Sequence, residues 1–278
     1  MTGPGPVLSL FPGIGLLDRA FESEGFPVFR GPDLLWGGDI RRQIVPPGAF
    51  WGVFAGPPCQ DFSCLRRTRP TGYGRAMLQE TIRLIESGAP EWFLIENVAR
   101  VPDIRVAGYN WQRFDLDQGW FQPVSRLRHW QFGSRSGVLL DPPHGRKMRG
   151  CEPAVLAHDG RTFREVCRLQ GLSPDFDLPG FTVAAKIAAV GNGVPIAMGR
   201  AVARAVRLAY GLPILTGFLD NHRLVLDSRV DRRRCKCGCG RVIRTCKGRY
   251  ASAACRKRAQ RARDASRENA VTRRRRSA

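Results

Sequence analysis

Short apolar runs separated by helical stretches constrain this chain more than any other feature. "PVLSLF" (6–11), "WGVFA" (51–55) and "EWFLI" (91–95) are too short for helices and read as buried strands. After the first, "LLDRAFESEG" (16–25) reads as a helix, with Leu17 and Phe21 four apart and Gly25 as its stop. Between the second and third, "RAMLQETIRLIESG" (75–88) puts Met77, Leu78, Ile82 and Ile85 on one helical face. "RLRHWQFGS" (126–134) reads as a later strand, and "TFREVCRLQGL" (162–172) and "PIAMGRAVARAVRLAYGL" (195–212) as later helices. Residues 134–161, rich in Gly, Pro, Arg and His, read as loop. Alternation of this kind predicts an α/β fold: a mostly parallel sheet with helices on both faces. No internal repeat competes with it.

Three groups stand where the strands of such a sheet end. In "AGPPCQDFS" (55–63), Pro57 and Pro58 each fix φ and remove a donor, so Cys59 lies outside the strand, beyond its carboxyl end. Its thiol is either a small buried hydrophobe or a site group. "FPGIG" (11–15) is a glycine turn between a strand and a helix, which is either a plain tight turn or a cofactor cradle. A dinucleotide fingerprint would want a third glycine where Asp18 stands, and an acid there opposes a pyrophosphate. A nucleoside cofactor without phosphates fits better, with Asp33 or Asp39 roughly 20 residues on to take hydroxyls or an amino group. Glu96, ending "EWFLIE", is either a buried structural acid or a site carboxyl. Convergence of all three at one sheet edge favours function.

Composition bounds the partners. Of 278 residues, 43% are hydrophobic, enough for a real core, yet no run reaches the ~18 apolar residues of a membrane span. Residues 1–20 lack the basic start of a secretory signal, so a cytoplasmic protein is expected, its nine cysteines in reduced roles. The net charge of +21 is uneven: residues from Arg229 onward carry +16, the preceding 228 only +5. A polyanion is the expected partner. Nucleic acid is favoured over membrane because no amphipathic apolar face accompanies the arginines.

"FPGIG", "GDI" (38–40), "GPPCQDFS" (56–63), "IENV" (95–98), "SRLRHWQFG" (125–133), "REVCRLQG" (164–171) and "GNGVP" (191–195) resemble, in order and style, the motifs of DNA cytosine-5 methyltransferases. The resemblance runs from about Val7 to Leu212. It implies the Rossmann-like fold of S-adenosylmethionine-dependent methyltransferases, double-stranded DNA as partner and a cytosine flipped out of the helix. In that family a cysteine thiolate adds to carbon 6 of cytosine, which makes carbon 5 able to take a methyl group; Cys59 matches this nucleophile. Glu96 matches the carboxyl that contacts ring nitrogen 3 and the amino group. Arg126 and Arg128 match the paired basic residues that bracket the base; read without the family, they are a solvated strand face. Phe11, Gly13, Ile14 and Gly15 match the loop around the methionine part of the cofactor, Asp39 and Ile40 the adenine site, and Pro58, Asn192 and Val194 further walls. Asp33 is the candidate for the ribose acid. Cys64, Cys151 and Cys167 match no motif and read as core or incidental.

The chain also departs from the family. Val124 stands where the family has glutamine, and the usual helix between the ribose acid and "GDI" is missing. The target-recognition domain is reduced to about 28 residues, basic and too short for its own core. The expected division is therefore a catalytic and cofactor-binding core over 1–133, a shortened recognition segment over 134–163, and the return of the core over 164–212. A linker (213–228), a basic module (229–263) and a basic tail (264–278) follow. Cys235, Cys237, Cys239, Cys246 and Cys255 beside "ASAACRKRAQRAR" (251–263) resemble small cysteine-rich zinc modules, with Ala251 in place of one usual cysteine. Four of the five thiols suffice for a tetrahedral Zn2+ site; the alternative is a basic tail with incidental cysteines. The rival functions are a tRNA cytosine methyltransferase and a catalytically silent DNA-binding protein.

Overall fold

The computed structural model describes residues 3–64, 66, 68–214 and 260. In chain order the elements are β1 (Val7–Leu10), α1 (Leu16–Ser23), β2 (Val28–Arg30), β3 (Gly52–Ala55), α2 (Tyr73–Gly88), β4 (Trp92–Asn97) and β5 (Asn110–Asp117). β6 (Val124–Ser125), β7 (Leu127–Ser134), β8 (Glu152–Pro153), α3 (Phe163–Gln170), α4 (Val183–Asn192) and α5 (Ile196–Ala209) follow. Six strands form one sheet in the order β2-β1-β3-β4-β7-β5. β2, β1, β3 and β4 run parallel, while β7 runs antiparallel to both its neighbours. The mostly parallel sheet is thus present. The chain steps outward from β1 to β2 and returns to the other side of β1 with β3, so a crevice opens at the carboxyl ends of β1 and β3.

Helices cover both faces. α1 and α5 bury Phe21, Met198, Val202 and Val206 against Phe54, Trp92 and Phe132. α2 packs Met77, Leu84 and Ile85 on Leu8, Val53, Phe93 and Ile95 on the other face. Alternate residues of one strand therefore serve different cores, which is why β1, β3 and β4 are apolar throughout. α3 and α4 build a third cluster from Val166, Leu169 and Val190, joined by Val124 and Val155. Thr162 caps α3 through a reciprocal pair with Glu165, so the sequence T-x-x-E fixes that helix start.

Three elements depart from the sequence expectation. β2 has three residues, two of them exposed, and gives no apolar run. β5 is an edge strand that carries Arg113, Asp115 and Asp117 among Phe114 and Leu116, so its charges hide its alternation. α4, which the sequence reading does not assign, takes the first two residues of "GNGVP" as its own end. The 134–163 interval is largely irregular, as expected, but it is not free of the core: Leu140 is buried with the first cluster and Val155 with the third. The cysteines Cys235, Cys237, Cys239, Cys246 and Cys255, and the basic tail with them, lie outside the described residues. Among the described residues no group of His, Cys, Asp or Glu is placed to hold a metal, and no helix is long and apolar enough to cross a membrane.

Candidate active site

The turn after β1 is unusual in its backbone. Phe11 adopts left-handed geometry (φ 56°), costly for a residue with a Cβ, and Gly13 follows at φ 53°. The turn is held from outside. The Gly13 amide donates to Asp33 Oδ2 (2.8 Å), the Leu35 amide to Asp33 Oδ1 (2.8 Å), and the Trp36 indole to the Gly13 carbonyl (2.7 Å). Asp33 is thus a strut between two loops, with lone pairs left over for a ligand. Gly15 begins α1, its amide on the Pro12 carbonyl at 2.8 Å.

Cys59 follows β3 in the two-proline turn, and the turn is pinned from β4. Asn97 Nδ2 donates to the Pro57 carbonyl (3.0 Å) while its own Oδ1 accepts from the Val98 amide (2.8 Å). Beyond Cys59, Asp61 accepts the Thr71 amide (2.9 Å) and the Gly74 amide (2.7 Å), which closes the 59–74 loop onto the start of α2. Glu96 is buried at the end of β4, and Arg128 on β7 reaches it across the antiparallel pair, Nε to Oε1 at 2.8 Å. Burial pushes the Glu96 carboxyl up, against the pull of Arg128. Burial also pushes the Cys59 thiol up, and the neighbouring Glu96 charge adds to it while Arg128 opposes it. Thiol and carboxyl therefore form one coupled unit in which protonating Glu96 favours ionising Cys59.

These loops enclose a cavity of about 460 Å³, within the range of small-molecule sites. Cys59, Glu96 and Arg128 line it together. Phe11, Gly13, Ile14, Asp33, Asp39, Ile40, Pro58, Asn192 and Val194 are also on its wall. Gly15 and Arg126 do not line it. Asp39 is already engaged: Arg41 forks onto both its oxygens (2.9 and 2.6 Å), which with the Arg41 amide holds its carboxyl down to about 2. Among the described residues Arg128 is the one basic side chain on the wall, whereas Asp18, Asp33 and Asp39 are acidic. A pyrophosphate would be repelled, and a nucleoside joined to a sulfonium is compatible with this donor set. A Cβ built on Gly13 meets nothing within 4 Å, so this turn faces open space. The residues present fit S-adenosylmethionine.

Arg126 is near enough to Cys59 and Glu96 for its charge to pull both acids down, yet its own hydrogen bonds go elsewhere. It is buried, and its guanidinium donates to the carbonyls of Val155 (2.6 Å), Gly191 (2.8 Å) and Gly193 (3.1 Å). Cys64 is exposed, Cys151 half-buried and Cys167 buried in the third cluster. Asn97, Asp61 and Gln170 were not singled out by sequence. All three lie within or beside quoted motifs, Asn97 next to Glu96, Asp61 two residues after Cys59 and Gln170 in "REVCRLQG"; the Gln170 amide donates to the Val190 (2.8 Å) and Gly193 (3.1 Å) carbonyls.

Residues 38–106 match the family model of the C-5 cytosine-specific DNA methylases. Among curated proteins, the type II methyltransferase M.NgoPII of Neisseria gonorrhoeae is 32% identical over 115 residues, covering 34% of this chain and 34% of its own. The type II methyltransferase M.AgeI of Thalassovita gelatinovora is 29% identical over 135 residues, covering 43% of this chain and 32% of its own. The matches thus span about a third of the length of these relatives. In fold, the chain is similar to the methyltransferase EhMeth of Entamoeba histolytica (TM-score 0.55, 12% identity, 75% of this chain and 98% of that one). It is also similar to a putative DNA modification methyltransferase encoded within an Escherichia coli prophage (TM-score 0.54, 14% identity, 74% and 99%).

Proposed function

We propose, on the premise that these matches support the cytosine-5 methyltransferase family for this chain, that the protein methylates carbon 5 of cytosine in DNA through a covalent adduct on Cys59. The observation that carries this reading is the meeting of Cys59, Glu96 and Arg128 on the wall of a cavity that the Gly13 turn also lines. S-adenosylmethionine supplies the methyl group when bound. Phe11, Gly13, Ile14, Asp33, Asp39, Ile40, Asn192 and Val194 hold it, with Gly15 setting the turn from behind.

Toward the base, the prolines and Asn97 aim the thiol and lower the entropy lost in positioning it. Addition of the Cys59 thiolate to carbon 6 places negative charge on the ring. Glu96, whose carboxyl burial pushes up toward its protonated form, delivers a proton to ring nitrogen 3 and neutralises that charge. Once carbon 5 carries the methyl group, water takes its proton, and the carbon 5–carbon 6 double bond re-forms as the carbon–sulfur pair leaves with the thiolate. Ring nitrogen 3 returns its proton to Glu96. Arg128 holds the Glu96 carboxyl in position and favours the thiolate.

DNA is held by the basic 134–163 segment, where Arg146, Lys147 and Arg149 are exposed, and by the cationic region after Arg229. Base reading is accordingly short. Zinc bound by four of Cys235, Cys237, Cys239, Cys246 and Cys255 belongs to the same proposal, and metal analysis of the purified chain tests it. The test of the reaction is incubation with duplex DNA containing 5-fluorocytosine and S-adenosylmethionine: an adduct that survives denaturation is expected. Absence of both adduct and 5-methylcytosine overturns the reading, and methylation of tRNA with none of DNA moves the substrate.

A further inference from the structure

The C-terminus of α4 poses an accounting problem. The last carbonyls of a helix have no partner within it. Here Gly191 falls in the last turn and Gly193 just beyond, beside Asn192 and Val194 on the cavity wall. Two buried side chains from elsewhere supply the missing donors. Gln170, ending α3, takes the Val190 and Gly193 carbonyls, and Arg126, just before β7, takes Gly191 and Gly193. A guanidinium at a helix C-terminus also opposes the negative end of its dipole.

The same guanidinium takes a third carbonyl, that of Val155, in the 134–163 segment. The two partners are in close contact: a Cβ built on Gly191 would stand 2.3 Å from the Leu156 carbonyl oxygen, so only glycine admits this approach. Arg126 thus fastens the end of the proposed DNA-facing segment to the turn that walls the proposed cofactor site, and it does so two residues from Arg128. No lysine reproduces this, because its ammonium cannot spread a planar fork over three carbonyls.

We infer that Arg126 is a positioning residue that couples the two ligand sites: ordering of residues 155–157 by DNA and ordering of the 191–194 turn by cofactor each favour the other through its guanidinium. This rests on the proposed function. It adds action through the turn to the proposed place of Arg126 beside the base. Coupling is reciprocal, so it is measurable from either ligand.

The experiment measures the dissociation constant of S-adenosylhomocysteine by calorimetry, with and without duplex DNA, for the full chain and for Arg126→Lys and Arg126→Met. The full chain is expected to bind it at least about 5-fold tighter with DNA present. Both variants should bind it about tenfold or more weakly and lose most of the DNA effect. Variants that keep the wild-type affinity and ratio overturn the inference, as does a full chain with no DNA effect. Should neither variant fold, hydrogen exchange on the unaltered chain decides: S-adenosylhomocysteine alone should protect the amides of 155–157, and unchanged exchange there overturns the inference. A full chain that binds no S-adenosylhomocysteine at all refutes the proposed function, and the coupling falls with it; one that binds without coupling refutes only the role of Arg126.

Discussion

The base-facing and cofactor-facing residues of the proposed site are built by opposite means. In the first set, Glu96 lies in buried β4 and Cys59 half-buried in the turn after β3, and burial raises both acids toward their neutral forms. In the second set, half-buried Asp33 and Asp39 each open a single helical turn, each carboxylate held by nearby backbone amides, and Arg41 holds the Asp39 carboxyl low. Proton transfer needs groups that change state, whereas holding a ligand needs groups that do not. Substitutions in the first set should therefore lower kcat, and those in the second should raise KM.

The largest effect is expected from Cys59→Ser. Turnover should fall to background while S-adenosylhomocysteine binding stays within a small factor of wild type, because the thiolate serves only the addition. An active serine variant would break the comparison in its base-facing set. Next comes Glu96→Gln, which keeps a hydrogen bond but has no proton to hand over. A loss in kcat of roughly 10²–10⁴-fold with little change in the cofactor KM is expected from single-turnover and steady-state rates. A change confined to KM would make Glu96 a holding residue.

Asp33→Ala should be smaller and of the other kind. It strips the Gly13 and Leu35 amides of their acceptor, so the cofactor KM should rise by roughly tenfold, the worth of about one charge-assisted hydrogen bond, with kcat changing less. The smallest effect is expected from Arg41→Ala, an exposed pair, at less than about threefold in KM. Its clearer readout is pH. The folded Asp39 carboxyl lies below its ordinary value, so its contribution to stability is present above about pH 4 and is lost as pH falls toward 2. Acid titration of the unfolding midpoint should show a slightly shallower fall in the variant over that window; an identical fall means that the pair contributes nothing.

The sequence by itself determined the strands β1, β3 and β4, the helices α1, α2, α3 and α5, and the residues at the strand ends. A buried parallel strand must be apolar on both faces, and a stiff two-proline turn leaves few places for Cys59, so local composition alone fixes these. Glu96 was legible for the same reason, since the apolar run before it sets its place. What only the tertiary structure decided is the half built from buried polar groups. β5 was hidden because an edge strand tolerates charge, and α4 because its end is capped by side chains from distant parts of the chain. Arg126 and Arg128 are two apart in sequence and equivalent by pattern, yet one meets a carboxylate and the other three carbonyls. Apolar burial is non-directional and follows residue type, but a buried hydrogen bond requires a particular partner at a particular distance, and the fold alone supplies it.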